Sequence, residues 1–315
     1  MALRLGLALG TVLALASGVA HAADPAGCKA VRFSDVGWTD ITATTATTSV
    51  VLDALGYQPS ATILSVPVTF QSLKNGDIDV FLGNWMPSME ADIAPFKADG
   101  SVQVVRANLE GAKYTLAVPD YLYQKGLHDF ADIAKFKDQL DGKIYGIEPG
   151  NDGNRHVLDM IQQNAFDLGS FELVESSEQG MLAEVARKVP AKQPIVFLAW
   201  EPHPMNTKFK LDYLTGGDKF FGPNFGGATV YTVVGKGYPE KCPNIGQLLK
   251  NLSFTLPMEN QLMGQITDQG KEPADAATEY LKANPKVVEP WLKGVTTLDG
   301  KDGLAAVKAK LGLTG

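Results

Sequence analysis

Apolar positions along the chain fall into short continuous runs separated by stretches of helical period. The run Lys29–Ser34 (KAVRFS), short and rich in Val and Phe, predicts a strand. Residues 39–55 follow with Ile41, Val50, Val51, Leu52 and Leu55 at helical spacing, and Gly56 supplies a stop. A second strand is expected over 58–66, a short helix over 69–74 ended by Asn75-Gly76, a third strand over 78–82 and a helix over 89–99. This β-α-β-α-β order implies right-handed crossovers and a largely parallel sheet. The pattern then starts again. Strands are expected over 113–118, 144–147, 171–175 and 194–199, with helices over 130–136, 154–165 and 179–188 between them. Residues 209–213 carry the chain back, and the region beyond 228 holds one strand, 229–234, and then mostly helices. The expectation is an α/β protein of two lobes, each a mostly parallel sheet flanked by helices, with two crossings at a hinge. Lobe I is discontinuous, 23–111 and 206–315; lobe II is the insertion 112–205.

Two apolar runs resemble one another. VFLGNWMPSM spans Val80–Met89 and VFLAWEPHPM spans Val196–Met205; each ends in a tryptophan with proline close behind. A strand buried between helix layers reads as a continuous apolar run, and ligands of open α/β sheets bind beyond the carboxyl ends of the strands. Trp85 and Trp200 are placed there, as is Trp38, a few residues after the first strand, while Tyr114 lies near the crossing between lobes. Any one tryptophan is more often core than ligand wall. Three at equivalent strand ends, drawn from both lobes, point instead to an aromatic cage. Trp291, in a polar, Lys-rich helical tail, is expected to pack.

Aromatic cages suit sugars or cations. A quaternary ammonium group has no N–H to donate, so it selects π-faces, worth roughly 2 kcal/mol or more per ring once water is excluded, together with a carboxylate. Asp40 stands two residues after Trp38 and is the candidate counter-ion; the competing role is capping of the helix that follows. The stretch Ile147–Met160 (IEPGNDGNRHVLDM) reads as strand, Gly-rich turn and helix start. Backbone N–H groups and Asn side chains converge there, either to hold a ligand's hydroxyl or carboxylate or simply as a capped turn. It is no P-loop, since no G-K-[ST] follows.

Composition adds a compartment. The chain of 315 residues, 45% hydrophobic and 20% charged, has a net charge of −7, which argues against a general affinity for nucleic acid or an anionic membrane. Arg4, an apolar run over 5–16 and Ala20-His21-Ala22 form a secretory leader with cleavage expected after Ala22. In an exported protein the two cysteines, Cys28 and Cys242, are expected to form a disulfide, which ties both ends of the mature chain to lobe I. Catalytic motifs are lacking: there is no G-x-S-x-G, no H-E-x-x-H and no metal spacing among the histidines. Glu201 and His203 beside Trp200 are the nearest thing to an acid–base pair, but the prolines around them favour a rigid loop. No enzyme activity, metal or cofactor is expected.

Trp38-Thr39-Asp40, Gly76-Asp77-Ile78-Asp79-Val80 and Asn84-Trp85-Met86-Pro87, with the leader and the double crossing, resemble the type II periplasmic substrate-binding proteins for quaternary ammonium osmolytes. The likeness is greatest to the choline-binding members that serve bacterial choline ABC importers, and it covers essentially the whole mature chain. The resemblance implies that Trp38, Trp85, Tyr114 and Trp200 wall a box around a trimethylammonium group, that Asp40 supplies the negative charge and that Asn151 bonds the choline hydroxyl. It also implies the Cys28–Cys242 bridge, a monomeric periplasmic receptor that closes like a hinge, and an ABC permease with its ATPase as partners. Acetylcholine, glycine betaine and proline betaine remain open as ligands. A sugar-cleaving enzyme would need two carboxylates converging about 5–10 Å apart, and the sequence pairs none.

Overall fold

The computed structural model describes residues 24–313, so the expected leader over 1–22 lies outside the described residues. Within them the strands are β1 (Ala30–Asp35), β2 (Gln58–Ile63), β3 (Val80–Met86), β4 (Val102–Pro119), β5 (Lys143–Tyr145), β6 (Glu172–Val174), β7 (Phe197–Glu201), β8 (Leu211–Tyr213) and β9 (Gly227–Gly235). They join one nine-stranded sheet in the order β2-β1-β3-β9-β4-β7-β5-β6, with β8 on β4. The helices that position the site are α1 (Thr39–Ala54), α2 (Val66–Asn75), α3 (Glu90–Ala98), the single turn α4 (Asp120–Tyr123), α5 (Asp152–Gln162) and α6 (Glu178–Lys188).

The expected α/β architecture with two crossings is present, but parallel pairing is confined to the outer strands. β1 pairs in parallel with β2 and β3, and β5 with β6 and β7, wherever a helix makes the connection. The central ladders β3–β9, β9–β4 and β4–β7 are antiparallel. They arise because β4 is an 18-residue strand that serves both arrays: Val102–Lys113 pairs with β9 and Lys113–Ala117 with β7. Only its carboxyl half was expected. The first half breaks the apolar run with Gln103, Arg106, Asn108, Glu110 and Gly111, and its register shifts repeatedly against β9. β8 also pairs with the carboxyl half of β4, so residues 211–213 still add to the second array.

Two boundaries differ for local reasons. Val66 and Pro67 open α2 rather than closing β2, because Pro67 falls at the first helical positions, where a missing N–H costs nothing. β3 runs on to Met86 and β7 to Glu201, so Trp85 and Trp200 sit within the last two residues of their strands instead of after them. Both strands then leave through a cis X–Pro bond, Met86–Pro87 and Glu201–Pro202. The kinship of the two runs is thus one of position in the two arrays.

The cysteines are bridged, with Cα atoms 5.7 Å apart and a sequence separation of 214. Asp24 works beside the bridge. Its carboxylate accepts from Asn244 N at 2.7 Å and Ile245 N at 3.1 Å at the start of the helix Pro243–Asn251, and from the Tyr57 hydroxyl at 2.9 Å. The first and last parts of the described chain are therefore fastened to the same array. Trp291 is buried, donates through Nε1 to Ser253 O at 3.0 Å and packs edge-on against Phe254, as expected of a packing residue.

Candidate ligand-binding site

The site is assembled from strand ends and helix starts. Trp38 precedes α1 in extended conformation, and its carbonyl accepts the first helical bond from Thr42 N at 2.9 Å. The sharp entry is made by Gly37, at a φ of 84° that favours glycine, held by Asp35 Oδ1 at 2.8 Å. The loop thereby turns Trp38 inward and sets Asp40 in the first turn of α1, where it is 1% exposed. Asp40 does not cap α1; the helix's first N–H, on Thr39, is instead taken by Glu178 Oε2 at 2.8 Å. Its Oδ2 accepts from the Trp85 indole at 3.2 Å, and its Oδ1 is buried without a hydrogen-bond partner.

Tyr114, on β4 at the junction of the two arrays, stands edge-on to both Trp85 and Trp200, with ring centroids 6.1 and 6.0 Å away. Trp38, Asp40, Trp85, Tyr114, Trp200 and Ile147 line one small cavity. Five residues expected from the sequence are thus brought together, and Ile147 joins them as an apolar wall from the segment after β5. Asn151 is buried just behind the wall and is not part of it. Its Oδ1 caps α5 by accepting from Gly153 N at 2.8 Å and Asn154 N at 3.2 Å, and it also accepts from the Tyr114 hydroxyl at 2.8 Å. The fit is close: a Cβ on Gly153 would lie 2.0 Å from the Tyr114 hydroxyl.

The electrostatics favour a cation. Burial, reinforced by the charge of Glu178, pushes the Asp40 carboxyl up to about 8 against the stabilising influence of the Ile41 backbone N–H and the Trp85 indole. Burial likewise lifts Glu148 to about 7 and Asp152 to about 6. Glu259 is raised well above the carboxylate range by burial and by Asp40. None of the six lining residues is basic. A positive charge in the box would relieve this crowd of carboxyl groups, whereas an anionic group would add to it.

Several contacts join the arrays around the box. Trp38 Nε1 donates to Glu148 Oε1 at 2.9 Å, and Thr39 bonds Glu178 through both its N–H and its hydroxyl. Ser88 donates to Asp152, and Arg155 grips Asp92 with two bonds of 2.8 and 2.7 Å. Sequence reasoning missed these carboxylates, because each reads as an ordinary helix-start or loop acid. Glu201 and His203 do not form an acid–base pair: Glu201 binds Lys113 at 2.9 Å, while His203 turns to Glu178 at 3.2 Å.

Residues 29–283 match the family described as the substrate binding domain of ABC-type glycine betaine transport systems. The chain belongs to that family. This substrate-binding domain is similar to a solved ABC-transporter choline binding protein in complex with choline. The two are 64% identical with a TM-score of 0.90 over 91% of this chain and 100% of that one. An ABC-transporter choline binding protein in an unliganded semi-closed conformation is 65% identical, with the same coverage and a TM-score of 0.84. The glycine betaine/carnitine transport binding protein GbuC of Listeria monocytogenes serotype 1/2a (strain 10403S) is 30% identical over 165 residues, 52% of this chain and 54% of that protein. The family is one of transport receptors, not enzymes. Among the described residues of this substrate-binding domain no helix is long and apolar enough to cross a membrane.

Proposed function

We propose that this protein is a periplasmic receptor that captures choline between two lobes and delivers it to an ABC permease driven by its ATPase, without chemistry of its own. Trp38, Trp85, Tyr114 and Trp200 surround the trimethylammonium group, and Asp40 is its counter-ion. The observation that carries this reading is the buried, unpartnered Asp40 Oδ1 inside a box of four aromatic rings that has no basic wall residue. In such a box each ring contributes on the order of 2 kcal/mol to holding a desolvated cation. The choline hydroxyl points to the Tyr114–Asn151 end. Asn151 Nδ2 is the donor at that end: its two N–H bonds, to Glu148 and Asp152, are both long at 3.3 Å, and one can be given up to a ligand oxygen.

In this reading the first lobe holds β1–β3, β9 and the carboxyl-terminal helices, and the second runs from the middle of β4 to the start of β9. The pairing of β8 with β4 supports the later return point, in place of a boundary at 205/206. The contacts between arrays form on closure, so the ligand draws the population toward the shut form. The higher TM-score against the choline-bound relative than against the semi-closed one agrees with a shut cleft here.

Glycine betaine is the second reading, favoured by the family description and by GbuC. Its carboxylate would need donors, yet the N–H groups of Gly153 and Asn154 are already taken by Asn151. Titration of the mature protein with choline, acetylcholine, glycine betaine and maltose, followed by tryptophan fluorescence, separates the ligands. Choline is expected to saturate the signal at the lowest concentration; saturation by betaine at a lower one would replace choline with betaine.

A further inference from the structure

We infer that Glu178, which does not line the cage, is a positioning residue that locks both halves of the cage around the ligand and sets how slowly it leaves. The inference rests on the choline reading above. Glu178 opens α6 and is 1% exposed. Its Oε2 accepts from Thr39 N at 2.8 Å, and its Oε1 accepts from the Thr39 hydroxyl. Oε1 also meets His203 Nε2 at 3.2 Å. The tautomer of that imidazole is fixed by its other nitrogen: His203 Nδ1 accepts from Met205 N at 3.0 Å, so Nε2 carries the proton and donates. All three contacts are thus donations to one carboxylate.

The partners explain the role. Thr39 lies between Trp38 and Asp40, the wall and the counter-ion contributed by the first array. His203 lies three residues after Trp200, and its ring sits edge-on to that indole with centroids 5.1 Å apart. One carboxylate therefore holds the backbone bearing Trp38 and Asp40 against the loop that backs Trp200. The neighbouring Gln179 donates to Gly37 O at 3.3 Å, so the first turn of α6 grips the whole 37–39 loop. On its far side Glu178 borders a separate cleft with Thr39, His203 and Lys208. The clamp thus also forms the partition between that cleft and the cage.

Bonds from Thr39 to Glu178 cross between the arrays, so they form late, on closure, and break before release. At about pH 9, where Asp40 is ionised with or without the Glu178 charge beside it, a variant lacking that charge should leave capture unchanged and speed escape. Glu178→Gln keeps the shape but replaces one acceptor oxygen with an NH2 that cannot accept. Loss of one or two charge-assisted bonds corresponds to about a 10- to 100-fold faster dissociation of choline, with the association rate within about threefold of wild type. Stopped-flow tryptophan fluorescence reads both rates.

The ligand-free melting temperature distinguishes a clamp from a purely structural contact. A clamp variant melts like wild type without ligand and loses part of the rise that choline produces; a structural one melts lower in both states. Thr39→Val removes the hydroxyl alone and serves if Glu178→Gln fails to fold; it should speed dissociation by a smaller factor. If wild type does not bind choline, the functional reading fails. If wild type binds and both variants release choline at the wild-type rate, or only association changes, the clamp is wrong while the cage stands.

Discussion

Replacing Asp40 by Asn keeps the shape of the cage and removes its charge. A cation about 4 Å from the carboxylate, at an effective dielectric of about 20, gains about 4 kcal/mol. Part of this is offset, because the carboxyl of the closed ligand-free cage titrates at about 8. At pH 7 it must first give up a proton, one pH unit below that value, at a cost of about 1.4 kcal/mol. The net is about 3 kcal/mol, so Asp40→Asn should weaken choline binding roughly 100-fold at pH 7. The sign of the pH effect follows from the upward shift. As pH falls below 8 the closed cage takes up a proton that the cation must expel, so the wild-type advantage shrinks by up to about tenfold per unit toward pH 6 and levels off above 8. Glu148, raised to about 7, ionises in the same range. It does so in both proteins, so the ratio of the two affinities isolates Asp40. Isothermal titration of both proteins with choline from pH 6 to 9 provides the ratio. A gap of less than about threefold at pH 7, or one that does not change with pH, would refute the role given to Asp40.

Other consequences can be checked separately. Trp85→Phe keeps a ring but removes the indole bond to Asp40 Oδ2, leaving both carboxylate oxygens without a partner; choline affinity measured by calorimetry should fall about 10-fold or more. Ligand-free thermal stability should decline as pH rises from about 5 to 8. Asp40, Asp152 and Glu148 are all raised in the folded protein, so their burial penalty is absent below their unfolded values and grows until each ionises; scanning calorimetry across that range would show it. Replacing Cys28 and Cys242 by serine opens a loop of over two hundred residues and should cost up to about 5 kcal/mol in urea unfolding. Choline affinity should be little changed, since the bridge lies outside the cage.

The sequence made the cage legible because its elements carry strong local signals. The runs ending in Trp85 and Trp200 are continuous enough to place both indoles at strand ends, and topology then aims them at one cleft. Asp40 was legible by its neighbour Trp38. The tertiary company of the carboxylates was not: Glu178 reads as an acid in a polar SSEQG stretch, and only folding brings it to Thr39 and His203. Asn151 reads from the sequence as part of the Gly-rich turn before a helix over 154–165; it is the N-cap of α5, and its oxygen is committed to α5 and Tyr114, which no spacing rule reveals. The antiparallel centre of the sheet escaped for a similar reason. The first half of β4 is half-polar and bulged, and it gains its strand character from pairing with β9, a segment more than a hundred residues away.

The central claim is that positive charge, not shape, is what the box selects. Its most direct test is a calorimetric comparison of choline with 3,3-dimethyl-1-butanol, the neutral carbon isostere that has the same outline and hydroxyl. With four rings and Asp40 acting on the charge, choline should bind at least about 1,000-fold more tightly. Affinities within about tenfold of one another would contradict the account, leaving a cage that works by apolar fit alone.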